Sequence, residues 1–396
     1  ARTLVGALES IRCGITCVQD MLGLVPLDDE STDVVLKAYA DIGLRVVYSP
    51  MVWDVPPVAM VHNKDALPSD VQDMLGRAGR PIQDQIDYLN YQFDKHPAAG
   101  TLHWAVAPFA PQRCTPKMLQ GCADLSHKHN LPVYTHVYET RGQRLIAREQ
   151  FAEHEGSLIT YLERNGLLNP RLNIIHSVWI ERTEMDRMAA ADAGIVLNHL
   201  SNLKLKSGIA PVLDMRQAGV RIGLGCDNCS GSDVQNMFQA MKTFCLFAAV
   251  SDPEPGVPLA HEVLRHATLG NARSAGLQGK VGAIKPGHKA DLVFIDLDDV
   301  AYLPYNSAAR QLVYTETGRG IESVMIDGRM VMDRRRITTI DEDGLRREVD
   351  ELMKHFIKDY DEIVKTRSRA LPYMLEAHRR MWEPDVGVNR FISRTR

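Results

Sequence analysis

The sequence contains no run of about 18 consecutive apolar residues, the length that a membrane-spanning helix needs. It also lacks a strong basic excess, since 46 lysines and arginines stand against 50 aspartates and glutamates. We therefore expect neither a membrane nor a nucleic acid as a partner. The first residues show helical periodicity and no cleavage-site pattern, so we predict no signal peptide and a cytoplasmic location.

The number and spacing of the cysteines do not indicate disulfide bonds. The chain of 396 residues has seven cysteines, an odd number at irregular spacing. This argues against a disulfide framework and for a reducing compartment. Cys226 and Cys229 form a C-x-x-C without a second pair, so we interpret them as ordinary buried or loop cysteines and not as a zinc knuckle.

Helical and strand-like segments alternate seven times between residues 4 and 227. The strand-like segments, such as "LRVVYSP", "LPVYTH" and "RLNIIH", are continuous apolar runs, which is typical of strands buried on both faces. Seven or eight such units predict an α/β fold, a (β/α)8 TIM barrel. An open doubly wound sheet is the alternative, but no glycine-rich phosphate loop marks its first turn.

The alternation of helical and strand-like segments ends after the seventh unit. Two β-rich pieces with Pro-Gly and Asp-Gly turns follow, and then a charged helical segment. We predict a barrel over 1–276, a small β-domain over 277–335 and a helical C-terminal tail over 336–396. The tail carries an apolar stripe in "YMLEAHRRMW", which either packs on its own barrel or forms a homo-oligomer, with a homodimer as the first choice.

Potential metal ligands and proton carriers stand where the predicted strands end. His136 ends one strand and Glu139 follows it, His176 ends the next, and Asp227 ends the last. The carboxyl ends of the strands in a (β/α) barrel meet on one face, so we expect these side chains to converge. Imidazole and carboxylate groups are ligands for zinc or iron, and a neighbouring carboxylate can carry protons to and from an activated water.

Other residues of the predicted strand-end loops are candidates to line a substrate pocket. They are Trp53, Gln112, His199 and Asn228. Each has an ordinary alternative: Trp53 can pack under its loop, and His199 can be a structural histidine.

Several motifs together resemble the amidohydrolase superfamily. They are His136-x-x-Glu139, "IIHS", "NHLSNLKLKSGIAP", "GLGCDN" and "GAIKPGHKADLVFID", in this order. The resemblance is to the cytosine-deaminase-like and chlorohydrolase-like branch, which includes S-adenosylhomocysteine/methylthioadenosine deaminases, guanine-type deaminases and triazine hydrolases. It implies a metal-binding TIM barrel with a small β-sandwich domain.

The resemblance also implies roles for individual residues. His136 and Asp227 would bind one divalent metal, zinc first and iron or manganese as alternatives. Glu139 would shuttle protons, Asp227 would also act as a base, and His176 would contact the hydrolytic water or the substrate. The implied reaction is hydrolytic deamination of a small aminated heterocycle such as a purine, pyrimidine, pterin or triazine. The alternatives are a triazine hydrolase that expels chloride or an amine, and a non-catalytic homologue that acts as a binder or scaffold.

The sequence departs from the family pattern at its start. Members of the family carry a His-x-His at the end of the first barrel strand, and no early strand ends in this motif here. The first barrel strand is therefore predicted to be missing from the sequence. Either the natural protein has residues upstream of Ala1 that complete the metal site, or this is a truncated homologue.

Overall fold

In the computed structural model, residues 1–76, 79–251 and 259–391 are described. The parallel strands are β1 (Cys17–Leu22), β2 (Arg45–Val52), β3 (Leu102–Trp104), β4 (Ala107–Pro108), β5 (Val133–Val137), β6 (Leu172–His176), β7 (Gly194–Leu197) and β8 (Arg221–Leu224). β3 and β4 both pair with β2, so they are two segments of one strand position.

These strands pair in the order in which they occur in the chain. β1 pairs with β2, β2 with β3 and β4, and β5 to β8 follow one another in a second parallel set. A parallel bridge between Val106 and Val133 joins the two sets. The result is seven neighbouring parallel strand positions, which confirms the predicted α/β fold class and the seven predicted strands.

Helices lie between the strands and cover them. They are α1 (Arg2–Arg12), α2 (Asp29–Ile42), α3 (Ser69–Leu75), α4 (Ile82–Lys95), α5 (Pro116–His129), α6 (Arg141–Gln150), α7 (Leu158–Arg164), α8 (Arg182–Ala190), α9 (His199–Lys204), α10 (Val212–Ala218), α11 (Cys229–Ser232), α12 (Met237–Ser251), α13 (Leu259–Arg265) and α14 (Asn271–Ser274). Among the described residues, no helix is both long and apolar enough to cross a membrane.

The ends of the predicted helices follow local signals. The Asp28 side chain accepts from the backbone N–H of Ser31 and caps α2, and Gly43 ends it with φ of 79°. The sequence did not predict α6, because seven of its ten residues are glycine, arginine or other polar residues. Thr140 caps α6 by accepting from the N–H of Gln143, so this helix begins directly after Glu139.

A four-stranded antiparallel sheet follows the barrel. It contains β9 (Leu292–Ile295), β10 (Ile321–Ile326), β11 (Arg329–Asp333) and β12 (Arg336–Ile337), in the order β12-β11-β10-β9, and α15 (Ala308–Tyr314) lies between β9 and β10. The predicted Asp-Gly turn joins β10 to β11. Asp327 and Gly328 have φ of 52° and 81°, the left-handed conformation that a tight hairpin turn needs.

Two helices complete the chain, α16 (Glu342–Arg367) and α17 (Leu371–Arg380), and they confirm the prediction of a helical tail. Leu345 is the only residue of α16 that is buried. Beyond α17 the chain returns to the barrel, where the Trp382 ring contacts Trp179 and Phe391.

A buried ion pair connects the barrel to the antiparallel sheet. Arg45, the first residue of β2, donates from Nε and Nη2 to the two carboxylate oxygens of Asp291 at 2.8 Å each. Its Nη1 donates to the carbonyl oxygen of Gly100 at 2.8 Å, and Asp291 also accepts from the N–H of Asp327. Both charged side chains are at most 4% exposed, so Asp291 depends on Arg45 for compensation of its charge, and Arg45 depends mainly on Asp291, with Asp327 at 3.8 Å as a second partner.

Replacing Asp291 by alanine should therefore destabilise the protein strongly. The change leaves the buried Arg45 guanidinium with the more distant Asp327, at 3.8 Å, as its remaining counter-charge, and the loss of a buried partner costs about 3–5 kcal/mol. Urea unfolding followed by circular dichroism measures this loss. Asp298→Ala, at an exposed position, is the control and should change the free energy of unfolding by less than about 0.5 kcal/mol. Equal stability of the two variants would contradict the prediction.

Candidate active site

The carboxyl ends of β5 and β6 bring the predicted site residues together. The rings of His136 and His176 stack with centroids 5.5 Å apart and an interplanar angle of 23°. Nε2 of His176 lies 3.8 Å from a carboxylate oxygen of Glu139. Asp227 follows β8 at the same rim of the sheet. The structure thus places two imidazoles beside one carboxylate, as the strand-end pattern predicts.

Each histidine is held through its Nδ1 atom. Nδ1 of His136 lies 2.7 Å from the carbonyl oxygen of Phe109, and Nδ1 of His176 lies 2.9 Å from Oδ1 of Asn202. Because both oxygens accept, each Nδ1 carries the proton and donates it. The Nε2 atoms therefore keep their lone pairs, as a metal ligand or a proton acceptor requires.

Asn202 is a residue of the candidate site that sequence reasoning did not single out. It lies in α9, within the "SNLKL" segment, and its contact with His176 spans 26 residues of sequence. Its only sequence signal is its place within a family motif, because an asparagine in a short helix is otherwise unremarkable.

The backbone is strained where the strands end. Tyr138, His176, Ser177 and Asp227 have φ of 55°, 72°, 51° and 65°. Residues other than glycine rarely adopt positive φ, and residues with strained backbone angles are often found at functional sites. The chain therefore turns in a left-handed conformation directly at the ends of β5, β6 and β8.

Burial controls the protonation of the cluster. It lowers the pKa of His136, and a charge on His176 lowers this pKa further, while Glu139 and Asp227 oppose the shift. Burial also lowers the pKa of His176, against the effect of Asp227. The pKa of Glu139 is raised by burial, lowered by His136 and raised by Asp227. The Asp227 charge thus acts on all three groups, and the raised pKa of Glu139 favours proton uptake by this carboxylate.

A buried polar network fixes the segment between His136 and Glu139. The Tyr138 hydroxyl donates to Glu184 at 2.6 Å and accepts from the N–H of Leu158 at 2.8 Å. Glu184 also binds Arg144 of α6 at 3.1 Å and Ser157 at 2.5 Å. This network ties α6, α7 and α8 to the end of β5.

The predicted pocket residue Trp53 lies beside the cluster. Its ring meets Phe109 edge to face with centroids 6.2 Å apart, and Phe109 contacts the His136 ring at 5.2 Å. The Arg113 guanidinium lies over both Phe109 and Trp53, at 5.1 and 5.9 Å. Gln112 is buried, and neither polar atom of its amide has a hydrogen-bond partner among the described residues.

The other two predicted pocket residues have different surroundings. The His199 ring stacks on Phe247 and meets Phe244 edge to face, both in α12. Burial lowers the pKa of His199 to about 4. Asn228 is exposed, and its Oδ1 accepts from the N–H of Gly231 and so caps α11. Its Nδ2 donates to Asp227 at 3.1 Å.

His136 and Asp227 fit a divalent metal in donor type. The Phe109 carbonyl holds Nδ1 of His136 in the way in which metal-binding histidines are usually held, with Nε2 left to bind. Within residues 1–76, 79–251 and 259–391, no group of three or more His, Cys, Asp or Glu side chains has the arrangement of a metal site. His136 and Asp227 are therefore two candidates for a ligand set that usually has three protein members.

Comparison with known protein families identifies the family of this chain. The profile of the amidohydrolase family matches residues 1–331. The chain belongs to the amidohydrolase family. Its relatives include a 5'-deoxyadenosine deaminase of Methanothermobacter thermautotrophicus, 30% identical over 84% of this chain and 70% of the relative. Another is a 5-methylthioadenosine/S-adenosylhomocysteine deaminase of Syntrophobacter fumaroxidans, 27% identical over 88% of this chain and 73% of the relative.

Solved structures agree with this amidohydrolase in fold. An adenosine deaminase from Xanthomonas campestris with bound zinc superposes with a TM-score of 0.77 at 24% identity, over 90% of this chain and 74% of that one. Atrazine chlorohydrolase from Arthrobacter aurescens, complexed with zinc, gives 0.76 at 22% identity, over 89% and 75%. At these identities the likeness establishes the shared fold alone.

Removing the Tyr138 hydroxyl should loosen this rim. Tyr138→Phe leaves the buried N–H of Leu158 without its acceptor and takes one donor from Glu184, which costs about 1–3 kcal/mol. Thermal and urea unfolding measure the loss. Tyr305→Phe, at a position 58% exposed, is the matched control and should stay near the parent. A Tyr138→Phe variant as stable as this control would show that the network does not support the rim.

Proposed function

We propose that this amidohydrolase is a metal-dependent aminohydrolase that deaminates an aminated N-heterocycle. The observation that carries the proposal is the placement of Glu139 against the stacked pair His136 and His176. A carboxylate with a raised pKa beside imidazoles with free Nε2 atoms suits water activation and proton transfer. The relatives named as deaminases support the same reaction class.

Glu139 is the proposed proton shuttle. Its carboxylate takes a proton from the attacking water and delivers it to the ring nitrogen next to the amino-bearing carbon. The hydroxyl now on this carbon loses its proton, the exocyclic amino group gains one, the carbon–nitrogen bond breaks, ammonia leaves, and a ring carbonyl remains. His176 stays neutral, because burial lowers its pKa, and its Nε2 accepts a hydrogen bond from the water or the substrate. Asn202 holds the His176 ring in place for this contact.

His136 and Asp227 are the proposed ligands of one divalent metal, zinc in the first place. Such a metal lowers the pKa of a water from about 15.7 to about 7 and so supplies hydroxide at neutral pH. Zinc in the related structures supports this choice, with iron and manganese as alternatives. In this proposal Asp227 accepts the second proton of the attacking water, from the hydroxyl group on the tetrahedral carbon, and returns it to the exocyclic amino group, which leaves as ammonia.

The proposed substrate is a small heterocycle, and an adenine nucleoside is the first candidate because the named relatives act on such compounds. Trp53 and Gln112 are proposed to contact it, since the buried Gln112 amide has unsatisfied donors and an unsatisfied acceptor. Asn228 and His199 are weaker candidates for substrate contacts, because Asn228 caps α11 and His199 packs against Phe244 and Phe247. We further propose a cytoplasmic homo-oligomer.

Ammonia release is the test of the proposal. The zinc-loaded protein should release ammonia from at least one aminated purine, pyrimidine, pterin or triazine in a coupled assay. Glu139→Gln keeps the side-chain size but cannot exchange protons, so kcat should fall by about 10²-fold or more. Glu149→Gln on α6, at a partly exposed position, is the matched control and should keep its activity.

The alternatives give different results in the same assay. Chloride or amine release from substituted triazines without ammonia from any nucleoside would indicate the triazine-hydrolase alternative. Binding of a heterocycle without turnover, in protein shown to be metal-loaded, would indicate a non-catalytic homologue. Full activity of Glu139→Gln would leave Glu139 a structural role only.

Metal content tests the proposed ligands. His136→Ala removes a donor and Asp227→Asn removes the negative charge of a ligand, so both should lower the zinc bound per chain and the activity together. Asp233→Asn, in the same loop as Asp227 and 70% exposed at its side chain, is the control and should bind as much metal as the parent. Elemental analysis after zinc reconstitution and desalting makes the measurement. Unchanged zinc in both ligand variants would rule out these residues as ligands.

A further inference from the structure

Arg113 is a buried arginine without an acidic partner. The residue is only 7% exposed. Two other buried arginines, Arg45 and Arg144, each face a carboxylate, that of Asp291 and that of Glu184. Within residues 1–76, 79–251 and 259–391, no carboxylate lies within ion-pair distance of the Arg113 guanidinium. Buried charges in proteins are usually paired, so this guanidinium is an exception that needs an explanation.

Asp54 is a neighbour of Arg113, but its carboxylate binds elsewhere. The backbone N–H of Asp54 donates to the carbonyl oxygen of Arg113 at 3.2 Å, which brings the two residues together. One oxygen of the Asp54 carboxylate accepts from the N–H of Thr115 at 2.9 Å, and the other accepts from the Thr115 hydroxyl at 2.6 Å. Asp54 therefore holds the start of α5 and does not neutralise the guanidinium.

The guanidinium is held at the rim of the candidate site. Arg113 ends the short turn Pro111–Arg113, which follows β4. Its Nε donates to the carbonyl oxygen of Val55 at 2.6 Å. The guanidinium carbon lies 5.1 Å from the centre of the Phe109 ring, and this ring lies 5.2 Å from the His136 ring. One aromatic ring thus separates the charge from the proposed metal ligand, so a small molecule bound beside His136 is within reach of it.

Two of the three guanidinium nitrogens keep their donors for a ligand. Val55 takes the Nε donor, but in the described part of the chain no atom accepts from Nη1 or Nη2 of Arg113, and neither is a fully buried atom. The rings of Trp53 and Phe109 compensate part of the charge, because cations are attracted to aromatic faces. They do not replace an oxyanion, which accepts two parallel hydrogen bonds from a guanidinium.

We propose that Arg113 binds an anionic group of the substrate, a carboxylate or a phosphate carried close to the heterocycle. Nη1 and Nη2 donate to two oxygens of this group, while Trp53 and Phe109 hold the plane of the guanidinium. A neutral compound leaves the buried guanidinium unpaired, so the site discriminates against it. The substrate is therefore an acidic aminated heterocycle. This inference rests on the proposed deaminase function and narrows its substrate class.

Two matched pairs of compounds test the anion site. Adenosine 5'-monophosphate is compared with adenosine, and pterin-6-carboxylate with pterin. Ammonia release by the zinc-loaded parent gives kcat/KM, and calorimetric titration of the slow Glu139→Gln variant gives Kd. The anionic member of at least one pair should be favoured about 10-fold or more in both quantities, because the neutral member lacks the bidentate contact. Preference in the first pair identifies a phosphate as the anion, and preference in the second identifies a carboxylate.

Variants of Arg113 show whether this residue causes the preference. Arg113→Gln removes the charge, so the anionic and neutral members should become equal within about 2-fold. Arg113→Lys keeps the charge without the planar fork and should retain part of the preference, which also serves if the glutamine variant does not fold. Arg182→Gln on α8, where the side chain is 51% exposed, is the matched control and should keep the preference of the parent. Thermal unfolding checks the fold of each variant.

The outcomes separate the anion site from the deaminase function. Equal kcat/KM and Kd for both members of both pairs would overturn the anion site and leave the deaminase function intact, provided that ammonia is released. The same preference in Arg113→Gln as in Arg182→Gln would also overturn it. Conversely, no ammonia from any compound, together with binding of an anion that depends on Arg113, would reject the deaminase function and keep the anion site.

Discussion

Parallel pairing of consecutive strands is the constraint on which the rest of this structure depends. Because β1 to β8 run in one direction and pair in chain order, all their carboxyl ends lie at one rim. Residues that are far apart in sequence, such as His136 and Asp227, reach the same place for this reason alone. The opposite rim has a structural role, because Arg45 and Asp291 there hold the antiparallel sheet to the barrel through a desolvated ion pair.

At the rim that holds His136, His176 and Asp227, buried side chains and left-handed backbone conformations occur together. His176 is almost fully buried, so its neutral form is favoured, and its ring is fixed by the Asn202 side chain. Positive φ at Tyr138, His176 and Asp227 turns the chain sharply after each strand. Such turns are unfavourable for these residue types. The Tyr138–Glu184–Arg144 network provides part of the surrounding structure that holds one of them in place.

The C-terminal segment connects distant parts of the molecule. It leaves the antiparallel sheet, runs through α16, and returns to the barrel at α17 and Trp382. The Arg141 guanidinium, two residues beyond Glu139, lies 4.9 Å from the Trp382 ring centre. This segment therefore ends against the helix that follows the proposed proton shuttle.

The sequence alone determined the alternation of helices and strands, the parallel sheet and the strand-end positions of His136, Glu139, His176 and Asp227. Hydrophobic periodicity and the direction of parallel strands are enough for these features, because both are encoded in consecutive residues. Only the tertiary structure decided the contacts between elements: Asn202 with His176, Tyr138 with Glu184, and the His199 ring between Phe244 and Phe247. It also decided that the apolar side chains of α16 other than Leu345 are not buried. An amphipathic pattern predicts which face of a helix is apolar. It does not predict which surface packs against that face, because the hydrophobic effect is not specific for a partner.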